Sequence, residues 1–154
     1  MKTRMTLVTV ALFFVSVACF AADDPQMGTW KLNEGKSKIA AGSPKNNTVV
    51  YAPDGDNIKV TVDGTGADGK ATHNEWTGKF DGKDYAVTGD PTQDQRSYKK
   101  VNARTMDITV KKDGKVMTSG RIVVAADGKS RTVTTTRTDD KGKKSKSTAV
   151  YDKS

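Results

Sequence analysis

The stretch Met106-Asp107-Ile108-Thr109-Val110-Lys111-Lys112-Asp113-Gly114-Lys115 decides the fold. Met106, Ile108 and Val110 alternate with Asp107, Thr109 and Lys111, and an Asp-Gly pair follows at once. Period two with one apolar face marks a half-buried antiparallel strand. Asp-Gly next to such a strand is a strong hairpin signal, because its turn conformations need positive φ. The same pattern recurs outward from this stretch. Ile58, Val60 and Val62 alternate with Lys59, Thr61 and Asp63, while Trp76 and Phe80 share a face through Gly78. Asp-Gly returns at 54–55, 63–64, 68–69, 81–82 and 127–128, and Lys141-Gly142 adds a further turn. Strands are expected at 28–32, 47–52, 57–63, 70–80, 84–88, 95–101, 104–112, 115–126, 129–138 and 145–151. Only 33–41 could hold a short helix.

This makes an all-β, antiparallel, up-and-down meander of about 8–10 strands. A meander leaves two exposed edges unless it closes, so a barrel is expected; an open twisted sheet or a two-sheet sandwich is the alternative. Trp30, Ile58, Val60, Trp76, Phe80, Met106, Ile108 and Val110 are expected to point inward. Four Asp-Gly-Lys turns, at 68, 81, 113 and 127, place carboxylates near glycines. They lack the alternating oxygen ligands and final Glu of a calcium loop, so they read as hairpin turns.

A chain of 154 residues suits one domain. With 29% charged and 34% hydrophobic residues, a thick multilayered enzyme core is excluded. Lys2 and Arg4 precede an apolar run from Leu7 to Phe20, too short to span a membrane as a helix. Basic start, apolar stretch and small residues predict a signal peptide over 1–21, cleaved after Ala21. A short segment, 22–27, then leads into a single barrel domain at 28–154. The expected location is secreted or periplasmic. Cleavage before Cys19, giving a lipoprotein, is the minor alternative. Cys19 is the only cysteine, so the mature domain can use no disulfide and no Cys–metal site.

Gly28-Thr29-Trp30-Lys31-Leu32 heads the first mature strand. This Gly-x-Trp at the start of an all-β meander resembles the lipocalin and fatty-acid-binding (calycin) superfamily of small barrels. Thr148-Ala149-Val150-Tyr151-Asp152-Lys153 looks like the last strand of the fatty-acid-binding type, with Ala149 where that type carries Arg. The stretch Glu75–Tyr85 looks like that of a group of small secreted bacterial proteins of unassigned function. The resemblance implies that Gly28 and Trp30 close one barrel end, with Trp30 beneath Arg131 or Arg137, and that the interior holds a small ligand.

Catalytic material is scarce. His73 is the sole histidine, Glu34 and Glu75 are the only glutamates, and no nucleophile elbow or phosphate loop is present. His73 and Glu75 share a strand face opposite Trp76, which puts them outside the barrel. The expectation is a non-enzymatic monomer with no metal site and no cofactor. The net charge of +8 raises the question of nucleic acid, but no aromatics interleave with Lys141, Lys143, Lys144 and Lys146 to stack bases. An anionic envelope surface suits a basic exported domain better.

On 129–138, Arg131, Val133, Thr135 and Arg137 share one side. If Val133 faces inward, two arginines do as well, and a buried guanidinium requires a counter-charge. Tyr151, on the neighbouring strand, completes the expected site: Arg131, Arg137 and Tyr151 orient the acidic head of a small amphipathic ligand. Three other readings remain for these arginines: an outward face, pairing with interior carboxylates, or capping of Trp30. The rival function is a structural domain with a filled core that docks through its basic face.

Overall fold

A computed structural model describes residues 24–154. The expected leader, and with it Cys19, lies outside the described residues. Ten strands follow in chain order: β1 (Gly28–Lys38), β2 (Lys45–Asp54), β3 (Asn57–Thr65), β4 (Ala71–Gly78), β5 (Tyr85–Thr88), β6 (Gln95–Lys100), β7 (Thr105–Lys112), β8 (Lys115–Val124), β9 (Ser130–Thr138) and β10 (Lys144–Lys153). Each pairs antiparallel with its sequence neighbours, and β1 pairs with β10, so the meander closes into a barrel. The open sheet and the sandwich are thereby excluded. Closure satisfies the ladder groups that a ten-strand sheet would expose at its edges.

Alternation sets the register. Val60 and Val62 are buried on β3, Trp76 on β4, and Met106 on β7. Ile58, Phe80 and Ile108 pack against this core while remaining half-buried. Val110 is half-buried for another reason: it borders an interior cavity.

The segment 33–41 departs from its expected short helix. β1 instead continues to Lys38 and stays paired with β10 across a bulge between Asn33 and Lys38. Ser37 holds this bulge together. Its hydroxyl donates to the Asn33 carbonyl at 2.7 Å and accepts from the Val150 amide at 2.9 Å. The Asn33 side chain also accepts from the Lys36 amide. Ladder pairing with β10 thus outweighs a local helical preference in a segment with no apolar stripe to bury.

Two turns show what the Asp-Gly pairs do. Between β7 and β8, Asp113 and Gly114 both have positive φ, 48° and 74°, the signature of a type I′ hairpin. Between β2 and β3 the loop falls one residue later. Asp54 pairs with Asn57, and Gly55-Asp56 forms the turn with positive φ only at Gly55. Other turn carboxylates are spent locally: Asp68, Asp127 and Asp139 accept from the backbone amides of Lys70, Lys129 and Lys141.

The meander places odd-numbered connections (β1–β2, β3–β4, β5–β6, β7–β8 and β9–β10) at one barrel end and even-numbered ones at the other. The even end is sealed by the chain before β1. Gln26 is buried, its side-chain amide donates to the Arg104 carbonyl, and its own carbonyl accepts from Trp30 Nε1 at 2.9 Å. Asp24 pairs with Lys100 beside it.

Gly78 is constrained by packing, because a Cβ there would lie 2.5 Å from the Tyr85 ring and 2.8 Å from Trp76. In an unconstrained strand Gly→Ala gains rigidity, but overpacking costs about 1–3 kcal/mol. Gly78→Ala is therefore expected to lower the urea midpoint. A raised midpoint would show that the aromatic cluster yields freely.

Candidate functional site: a guanidinium-lined cavity

A cavity of about 260 Å³ occupies the barrel. It runs from Tyr51, Arg131 and Tyr151 near the sealed end to Ser43, Pro44, Gly66, Asp90 and Thr92 in the odd-end connections. Val49, Val62, Ile108, Ile122, Val133 and Ala149 form its apolar wall.

Arg131 is placed by its pairing with Tyr151 across β9 and β10. Period two turns both inward. The guanidinium is 2% exposed and lies 4.7 Å from the Trp30 ring centroid, 4.8 Å from Tyr51 and 5.1 Å from Tyr151. Cation–π attraction to three rings offsets part of its desolvation. Its Nε and Nη1 nevertheless have no hydrogen-bond acceptor. Burial pushes the Tyr151 hydroxyl up to about 12, against the opposing pull of Arg131, so it remains a protonated donor at neutral pH.

Trp30, fully buried, is the plate on which this end is built. Arg131 covers it on one side, and Lys153 Nζ approaches its ring at 5.1 Å. Gly28 carries φ of 107°, and a Cβ there would lie 3.0 Å from Lys153 Cε. Of the two arginines considered as Trp30's partner, Arg131 occupies the place.

Arg137 lines the same cavity but does not join Arg131 and Tyr151. It lies six residues along β9, roughly 20 Å at strand rise, near the open end. One acidic head cannot contact both arginines. The reason is simple: residues sharing a strand face share a direction, not a height.

Sequence reasoning missed Arg96. This side chain, 4% exposed, also lines the cavity. Its Nη2 donates to Asn74 Oδ1 at 2.8 Å and to Gln93 Oε1 at 2.7 Å, while its Nε is buried without a partner. Tyr98, two residues on, is buried and contacts Tyr51 edge-on at 6.0 Å. Burial and the neighbouring Tyr51 raise the Tyr98 hydroxyl above the ordinary phenol range. One signal was available: inward Trp76 makes Asn74 inward too, and a buried amide demands a polar partner. β6 itself shows a single large apolar residue, too little to assign its face.

Among the described residues, Asp90 is the one carboxylate that borders the cavity. Burial alone would raise its carboxyl, but hydrogen bonds from Gln93 and Thr92 outweigh this and hold it below the usual range. Lys45 at the rim is paired with Glu34 at 3.0 Å. Among the described residues, no carboxylate forms an ion pair with Arg96, Arg131 or Arg137.

His73 and Glu75 sit on the outer surface. His73 Nδ1 lies 2.7 Å from Asp63, and Lys59 reaches Glu75 at 2.9 Å. The Asp63 hydrogen bond raises the His73 pKa above 6.5. A raised folded-state pKa means the contribution to stability is complete below about pH 6.5 and disappears as pH rises through the folded value. A pH series of urea midpoints should show this small decline as pH rises above about 6.5, and His73→Gln should flatten it. An identical slope in the variant would assign the decline elsewhere.

Fold and site together define a closed ten-strand barrel with a cationic, aromatic-floored cavity. The chain is similar to a solved structure of EF1p2_mFAP2b bound to DFHBI, at 12% identity and a TM-score of 0.48, covering 84% of this chain and 94% of that one. No family model matches the chain, and no curated protein matches it.

Proposed function

We propose that this chain is an exported, non-enzymatic binding protein for a small amphipathic anion, held in the barrel with its acidic head on Arg131 and Tyr151. The observation that carries this reading is the Arg131 guanidinium, buried at the cavity floor with two nitrogens, Nε and Nη1, lacking acceptors. An unpaired buried cation is costly, and a carboxylate entering the cavity would satisfy it with charge-assisted bonds. The apolar wall suits the ligand's hydrocarbon part. The cavity's 260 Å³ lies just under the usual range of about 300–1,000 Å³ for small-molecule sites, which favours a short acyl or single-ring compound. The resemblance to lipocalin-like barrels points the same way. The rival docking function presumed a filled core, a premise at odds with the cavity.

Displacement of a fluorescent acyl probe by decanoate and by decanol tests the reading. Decanoate should bind roughly tenfold tighter or more, because only it answers the guanidinium. Equal displacement, or none by either, would refute an anion site. Export has its own readout, since the intact mass of the mature protein should begin at Ala22. A diacylated Cys19 species would replace soluble export with membrane tethering.

A further inference from the structure

Resting on that reading, we propose that the ligand is a dianion, with a second acidic group held at the open end between Arg96 and Arg137. Strand register brings these two together. Arg96 pairs with Val110, Val110 with Thr118, and Thr118 with Arg137. All four border the cavity, so they form one row around its wall. Three strand spacings of about 4.8 Å separate the two arginines along that curved wall, roughly 14 Å at the backbone. Arg96 and Arg137 thus stand at the two ends of one row, with Val110 and Thr118 between them.

The charges around the cavity point to a dianion as well. Among the described residues, Arg96, Arg131 and Arg137 line it against the single carboxylate of Asp90, the charge of Lys45 at the rim being answered by Glu34. Asp90 is already committed: Oδ1 accepts from the Thr92 amide and hydroxyl, and Oδ2 from Gln93 Nε2. It offsets one guanidinium at the open end and leaves one uncompensated there, with Arg131 uncompensated at the floor. Arg96 is further prepared for an anion. Asn74 and Gln93 orient its Nη2 edge, and its Nε is buried without an acceptor. Apolar residues separate the two poles, with Val62, Ile108 and Ile122 in the wall. The matching chemistry is an α,ω-dicarboxylate: two carboxylates joined by a hydrocarbon spacer. Both carboxylates are ionised at pH 7. The exposed lysines 141 and 143 in the β9–β10 connection, with Lys144 at the start of β10, stand at the same end, where they would draw a dianion toward the opening.

Sebacate and decanoate, equal in carbon number, form the test. Calorimetric or probe-displacement titration of the whole mature chain should give sebacate an affinity about tenfold or more above decanoate. Arg137→Gln should bring that ratio close to one, and Arg137→Lys, which keeps the charge, should retain part of it. If decanoate binds as well as sebacate, or the preference survives in Arg137→Gln, the second pole is refuted while the floor site stands. If neither compound binds, the anion-binding reading falls with it.

Discussion

Trp76→Ala is expected to lower the stability of this barrel by about 3–5 kcal/mol, through lost burial and an unfilled cavity. Trp76 is 1% exposed and is the hub of the aromatic cluster. Its ring centroid lies 4.8 Å from Tyr98, 5.6 Å from Tyr85 and 6.4 Å from Phe80. Its Nε1 donates to the Arg96 carbonyl at 2.8 Å, so truncation also leaves a buried acceptor unpaired. The flanking Gly78 cannot supply replacement volume. Denaturant unfolding with an unchanged slope measures the loss directly. A loss below about 1 kcal/mol would mean that β4 presents its other face to the core, since a one-residue slip exchanges the faces.

Arg131→Met separates binding from stability. The substitution removes the charge and keeps a long apolar side chain over Trp30, Tyr51 and Tyr151. Removing a buried, unpaired cation recovers its desolvation cost, while the lost cation–π contacts are worth about 2 kcal/mol. Stability should therefore remain within about 1 kcal/mol of wild type or rise. Anion affinity should fall roughly ten- to hundredfold, the worth of one charge-assisted contact. A stability loss above about 2 kcal/mol with unchanged decanoate affinity would make Arg131 a cap for Trp30 alone. The two readouts move independently, so each reading of this residue has its own outcome.

Much of the barrel was legible because its strands repeat one local rule. Val60 and Val62, or Met106 and Ile108, report the buried face by alternation, and Asp-Gly at 54, 68, 113 and 127 marks four of the connections, whereas Asp63-Gly64 lies inside β3, paired on both sides. β1 escaped the rule. Its second half, Asn33–Lys38, has no apolar alternation, and its extension depends on Ser37 bonding across the bulge to Val150. Arg131 and Tyr151 were legible as sharing the faces of Val133 and Ala149, and closure turns those faces inward. Arg96 was not, since β6 (Gln-Arg-Ser-Tyr-Lys-Lys) gives no apolar pattern to orient it.

What the sequence determined by itself is the set of properties that act over a few residues: most strand faces, most turn positions, antiparallel order and the shared face of the β9 arginines. What only the tertiary structure decided is height and neighbourhood within the barrel. Arg131 and Arg137 share a face, yet closure assigns one to the Trp30 floor and the other to the open end. Arg96, distant in sequence from Arg137, joins its row through three successive registers. The physical reason is that side-chain direction follows from backbone period, a local property. Which side chains meet inside a closed sheet depends instead on the stagger accumulated over every strand pair around it.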